Sequence, residues 1–226
     1  MNQTKIAILA SGSGSTAEAF IRDIQMHHLP LEVVLVISNN PDAFVFERVL
    51  RLQHECELTI ATAVINSHTQ PAETAPVHGH QTDEEQAAIL TLLRENAIDL
   101  VLLLGYMKLV GPKLLAEYGF EPNYTSIYQC HMLNTHPGLL PDTVGTHGLG
   151  TQKYVLAQGM SEAGQTLHVV SAKYDQGPTV AEHRVPVAPG DTAETLFDRV
   201  QTAEKAHIAH DVMNFVQAQQ KYQEEV

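Results

Sequence analysis

Short apolar runs rich in β-branched residues alternate along this chain with stretches of helical period. Residues 6–9, 33–37 and 60–65 read as strands, and 100–104 is apolar throughout, as a strand buried on both faces of a parallel sheet would be. Between them, 15–27 and 43–54 read as helices. A third opens at Thr82, where Thr82-Asp83-Glu84-Glu85 has the hydroxyl and following Glu of a capping box. Strands alternating with helices imply βαβ units, so the expected class is α/β with a doubly wound, mostly parallel sheet. The pattern changes in the C-terminal half. Residues 166–171 and 180–187 are extended runs separated by Asp175-Gln176-Gly177-Pro178, which predicts a β-ribbon or a reversed strand. Residues 192–219 then read as one long helix or two, with Asp191 or Thr192 as N-cap. The longest irregular stretch is 66–81. With no repeat, low-complexity tract or linker, residues 1–226 are expected to form a single domain.

Composition narrows the function classes. At 226 residues the chain suits one sizeable α/β core. Its 44% hydrophobic and 17% charged residues place it among ordinary globular proteins. A net charge of −13 argues against nucleic acid, whose phosphates require a cationic face, but not against one phosphorylated small molecule held by backbone N–H groups. The two cysteines, Cys56 and Cys130, make neither a disulfide framework nor a metal-ligand spacing, so a reducing cytoplasm is expected. The N-terminus shows no leader pattern, and no apolar run approaches the roughly 20 residues that span a bilayer.

Two segments bear chemistry. The first, Gly12-Ser13-Gly14-Ser15-Thr16-Ala17, lies between a strand and a helix, where glycines admit a ligand close to the backbone and the helix N-terminus favours an anion. It fits a loose dinucleotide fingerprint, but that fingerprint wants an acidic residue at the end of the second strand, where this chain reads Ser38-Asn39-Asn40. A monophosphate therefore fits better than a nicotinamide cofactor. The second is Asn134-Thr135-His136-Pro137-Gly138-Leu139-Leu140-Pro141 together with Asp175-Gln176-Gly177-Pro178. Asn134 and His136 are two apart, so at a strand end both leave on one face. An amide, an imidazole and a carboxylate suit a carbonyl oxygen that becomes negative during reaction.

With these segments in this order, the chain resembles the phosphoribosylglycinamide formyltransferases of the folate-dependent formyltransferase superfamily. Further points of likeness are Gly105-Tyr106-Met107-Lys108, Leu167-His168-Val169 and Arg199-Val200-Gln201-Thr202 with Glu204. The resemblance implies a Rossmann-like formyltransferase fold. It also implies formyl transfer from the co-substrate 10-formyltetrahydrofolate to the amine of glycinamide ribonucleotide in purine biosynthesis, without a metal. Asn134, His136 and Asp175 would be catalytic, and Gly12, Ser13, Gly14, Ser15 and Thr16 would hold the substrate phosphate. Glu204 would contact the ribonucleotide, and Met107, Lys108, Leu109, Val110 and Asn134 would meet the folate. The partners are small molecules, not nucleic acid or membrane, with a homodimer left open. A formyl-folate hydrolase, a transferase to another amine such as an amino sugar nucleotide, a NAD-type oxidoreductase and a non-catalytic nucleotide-binding protein are the alternatives.

The chain departs from the family's pattern in four places. Thr16 replaces an asparagine, and Lys108 stands where arginine is common. Ala163 occupies a position usually held by histidine, which would remove a secondary support of the site. Residues 118–132 are longer than the usual connection and are expected to be a surface insertion, ahead of a lid or an oligomer contact. Thirteen histidines include the pairs His78/His80 and His207/His210, which read as surface or packing residues, not metal ligands.

Overall fold

The wholly apolar run becomes a central strand. The computed structural model, which describes residues 3–73 and 75–225, buries Leu100, Val101 and Leu102 completely. In chain order the elements are β1 (Thr4–Leu9), α1 (Ser15–His27), β2 (Leu31–Ser38), α2 (Val45–Cys56), β3 (Ala61–Val64), α3 (Asp83–Glu95) and β4 (Leu100–Leu103). There follow α4 (Pro112–Tyr118), β5 (Met132–His136), α5 (Leu149–Ala157), β6 (Glu162–Val169), β7 (Thr179–Pro186) and α6 (Ala193–Glu225). Met1, Asn2, Thr74 and Val226 fall outside the description, and with them part of the N-terminal reading and one residue of the irregular 66–81 stretch.

The seven strands form one sheet in the order β3-β2-β1-β4-β5-β6-β7. β1 to β5 pair in parallel, whereas β6 runs antiparallel to both β5 and β7. The chain winds outward from β1 to β3, then restarts on the other side of β1 with β4. Between β1 and β4, therefore, the connecting segments depart to opposite faces and leave a crevice at the strands' carboxyl ends. The expected ribbon is present as β6 and β7, but it continues the main sheet because β6 also pairs with β5. The C-terminal segment is one helix of 33 residues, consistent with the absence of Gly and Pro from 193 to 225. Thr192 caps it, accepting from Thr195 N at 3.3 Å. The capping box at Thr82 forms with both reciprocal bonds.

Two helices have no counterpart in the hydrophobic pattern. α4 has only seven residues, starts on Pro112 and buries Leu114, Leu115 and Tyr118. α5 contains Gly150 and buries Thr151 and Gln152 beside Val155, so no apolar stripe announces it. The 118–132 insertion is not a free surface loop. Its single 3₁₀ turn, Ile127–Gln129, is clamped to α6: Gln219 Nε2 donates to Tyr128 O (3.1 Å) and Cys130 O (2.9 Å), and the Tyr128 ring packs 5.6 Å from that of Phe215.

Candidate active site

The glycine loop closes one wall of the crevice. Gly14 has φ 68°, and a Cβ there would meet Val45 at 2.5 Å, so α2 can approach only because residue 14 is glycine. The loop is tied down from three sides. Ser11 N donates to Gly105 O (3.0 Å), Val45 N to Gly12 O (3.3 Å) and Arg48 Nε to Ser13 O (2.8 Å). The Ser11 hydroxyl accepts from Met107 N (2.8 Å) and donates to the Asn39 side chain. Asn39 and Asn40, found where a dinucleotide site would carry an acid, are thus loop supports; the Asn40 amide donates to Ser11 O at 3.4 Å. The loop thus lies at the start of α1, where backbone N–H groups favour an anion, and Gly12, Ser13, Gly14, Ser15 and Thr16 all line the cleft.

The second wall carries the side-chain chemistry. β5 ends on His136 and β6 runs antiparallel to it, so Asn134 lies directly opposite His168. Asp175 arrives from the turn after β6 with φ 51°, a left-handed conformation that Asp tolerates better than most residues. Gly177 makes that turn possible, since a Cβ there would fall 1.8 Å from Val169 O. Asn134 Nδ2 lies 3.0 Å from His168 Nε2 and 3.4 Å from Asp175 Oδ1, and His136 Nδ1 lies 3.2 Å from Asp175 Oδ2. Despite that ion-pair distance, Oδ2 makes no directed hydrogen bond among the described residues. Burial pushes the Asp175 carboxyl up, and the His136 and His168 imidazoles more than offset it, leaving it at about 2.

All the residues assigned a catalytic or binding role from the sequence line this one cleft. Glu204 reaches it from α6, where Thr16 Oγ1 donates to Glu204 Oε2 at 3.2 Å. Burial pushes the Glu204 carboxyl up, opposed by hydrogen bonds from Thr135 and Thr16, so threonine at position 16 has a defined partner. Met107, Lys108, Leu109 and Val110 form the segment beyond β4. Lys108 differs from expectation in one respect: its ammonium is bound to both oxygens of the fully buried Glu85, at 2.5 and 2.6 Å. Its charge is therefore already neutralised.

His168 had no assigned role in the sequence reading. Its signal was an imidazole inside the otherwise apolar Leu167-His168-Val169, in a strand buried along almost its whole length. Ala163 instead packs in a small core with Val155, Val185, Leu196 and Val200, so its substitution leaves no gap at the cleft. Of the two histidine pairs noted in the sequence, His78 and His80 are exposed, whereas His207 and His210 pack against other histidines. His207 stacks on His183 at 3.8 Å and His210 meets His27 edge-on at 5.3 Å, while His183 also bonds Asp211 at 2.8 Å. Among the described residues, no group of three or more His, Cys, Asp or Glu is arranged to hold a metal ion, and no helix is long and apolar enough to cross a membrane.

A cleft at the switch point of an α/β sheet, joining an anion cradle to a polar cluster fit to stabilise an oxyanion, defines a group-transfer enzyme. Residues 4–212 match the formyl transferase family, and the chain belongs to it. Within that family it is similar to the phosphoribosylglycinamide formyltransferase of Mycobacterium tuberculosis, with 32% identity over 203 residues, covering 89% of this chain and 80% of that protein. The Escherichia coli protein of the same name is 30% identical over 201 residues, covering 89% of this chain and 82% of its own. The crystal structure of phosphoribosylglycinamide formyltransferase from Bacillus halodurans superposes with a TM-score of 0.76 at 32% identity, covering 94% of this chain and 95% of that one.

Proposed function

We propose that this protein transfers the formyl group of 10-formyltetrahydrofolate to the amine of glycinamide ribonucleotide, with residues 1–226 acting as one formyltransferase domain. The observation that carries this reading is the convergence of Asn134, His136 and Asp175 on one cleft that also contains the glycine loop. The ribonucleotide phosphate would sit on the N–H groups and hydroxyls of Gly12 to Thr16, and Glu204 would bind its sugar side. Residues 107–110 would flank the folate, Lys108 through its hydrocarbon stem.

The chemistry follows from the free valences of the site. Asn134 spends both amide protons on protein acceptors, and the 3.4 Å contact with Asp175 is the weaker of the two. An incoming formyl oxygen can take that proton and retain it as the oxyanion forms. The buried, undirected Asp175 Oδ2 accepts a hydrogen bond from the attacking amine and, by opposite charge, stabilises the imidazolium that forms when His136 takes up a proton at Nδ1. In the tetrahedral intermediate the former amine nitrogen loses a proton to the site, and His136 gives one to the departing folate nitrogen, so protons balance over the cycle. No covalent enzyme intermediate is needed, because the cleft supplies orientation. A reducing, cytoplasmic setting accords with Cys56 and Cys130 both being free thiols.

The test is a spectroscopic assay of 10-formyltetrahydrofolate loss. Turnover that requires glycinamide ribonucleotide is expected. Turnover without any amine would replace this reading with hydrolysis, and turnover only with another amine, such as an amino sugar nucleotide, would change the acceptor.

A further inference from the structure

The turn that follows β5 is pinned carbonyl by carbonyl. Gln152 Nε2 donates to Pro137 O (2.6 Å) and Thr166 Oγ1 to Gly138 O (2.8 Å). Leu139 O accepts both the N–H (3.1 Å) and the hydroxyl (2.9 Å) of Thr143. Thr143 is completely buried, and it reaches this position because residue 138 has no Cβ: one there would lie 2.3 Å from Thr143 Oγ1. The same hydroxyl oxygen is 3.0 Å from His136 Nε2. A threonine hydroxyl has one proton to give, and here it goes to a carbonyl, which can only accept. With that proton on Leu139 O, Thr143 Oγ1 accepts from His136, so Nε2 carries hydrogen.

The other end of the cluster is fixed by the same logic. His168 Nδ1 lies 3.0 Å from Val169 O and must be the protonated nitrogen, leaving His168 Nε2 to accept from the Asn134 amide. The two imidazoles flanking Asp175 are thereby distinguished, His136 by a threonine hydroxyl and His168 by a main-chain carbonyl at its far side.

We propose that Thr143 is a positioning residue that holds a proton on His136 Nε2, so that His136, and not His168, presents Nδ1 beside Asp175 as the exchangeable proton site. Its kinetic part rests on the formyl-transfer reading; its proton assignment does not. A threonine that merely bonds back to its own turn would leave His136 indifferent to the loss of the hydroxyl.

Long-range 1H–15N spectra of histidine-labelled protein test this, with the His136 and His168 signals identified by their loss in His136→Gln and His168→Gln. In wild type at neutral pH, His136 is expected to be protonated at Nε2, and His168 at Nδ1 with a bare Nε2. Thr143→Val keeps the shape and removes the hydroxyl. It should abolish the His136 pattern and lower kcat on the order of tenfold or more, the scale of partners that fix an imidazole tautomer, with KM for the ribonucleotide unchanged. Thr143→Ser should restore both. A bare Nε2 on His136 in wild type would overturn the proposal, whether or not any variant folds. So would a Thr143→Val protein that is less stable yet keeps the wild-type spectrum and kcat. The expected imidazole pattern in a wild-type protein without turnover would instead sink the formyl-transfer reading and leave the proton placement standing.

Discussion

Glu18 and Asp175 are two of the carboxyl groups held at about 2, well below the usual carboxylate range, and their surroundings have little else in common. In both, burial pushes upward and the neighbouring side chains more than compensate. Glu18, in the first turn of α1, is gripped by Arg22 at 2.9 Å, Arg51 at 2.6 Å and Arg48, and so staples α1 to α2. Its partners are guanidinium groups, which never release a proton at working pH. Asp175 is gripped by two imidazoles, which can. Its side chain is only 2% exposed, its backbone is left-handed, and one oxygen is not used by any directed bond among the described residues. A perturbed carboxylate is thus not in itself the mark of a reactive site. What sets apart Asp175, the one proposed to be reactive, is a partner able to exchange protons, an unspent acceptor, and a backbone conformation that the surrounding structure must enforce.

Substitutions at the two carboxylates should therefore behave in opposite ways. Asp175→Asn is expected to lower kcat by about a thousandfold or more, since it replaces one acceptor oxygen by a donor and removes the counter-charge of His136. Steady-state formyl transfer measures this, and near-wild-type turnover would place Asp175 with Glu18. Asn134→Ala and His136→Ala should each cost at least about a hundredfold in turnover, with circular dichroism unchanged. Either variant at wild-type rate would remove that residue from the mechanism. Glu18→Gln should leave kcat essentially intact and cost about 1–2 kcal/mol of stability in urea at pH 7, the buried charge network being partly screened.

The pH dependence sharpens the same contrast. Both folded pKa values are depressed, from 4.5 and 3.8 to about 2, so the stability these groups contribute is complete above pH 4.5 and lost as pH falls toward 2. Urea titrations at pH 5 and pH 3 should show Glu18→Gln with a flatter acid loss than wild type. An unchanged slope would mean that the arginine cluster is not linked to folding. Glu204 has the opposite sign. Its folded pKa is raised, so the ionised carboxyl costs stability as pH rises above 4.5. Glu204→Gln should therefore raise the melting temperature slightly at pH 7 while raising KM for the ribonucleotide. A lower melting temperature would show that its bonds to Thr16 and Thr135 outweigh its burial.

The order of strands and helices through β4, the capping box at Thr82 and the helical character of the C-terminal stretch could all be read from the chain, because each depends on periodicity or on neighbours a few residues apart; that the stretch is one helix and not two came from the structure. The glycine loop was legible for the same reason: its chemistry is mostly backbone, and its ligand groups are consecutive. α4 and α5 were not legible, since one is a single Pro-started turn or two and the other buries Thr151 and Gln152 in place of an apolar stripe. Tertiary structure alone decided three matters. It set His168 opposite Asn134, a pairing that depends on antiparallel register across 34 residues of sequence. It committed the Lys108 charge to Glu85. It also brought Thr143 beneath His136, because a proton's location follows from which acceptors surround it in space, and separation along the chain carries no information about that.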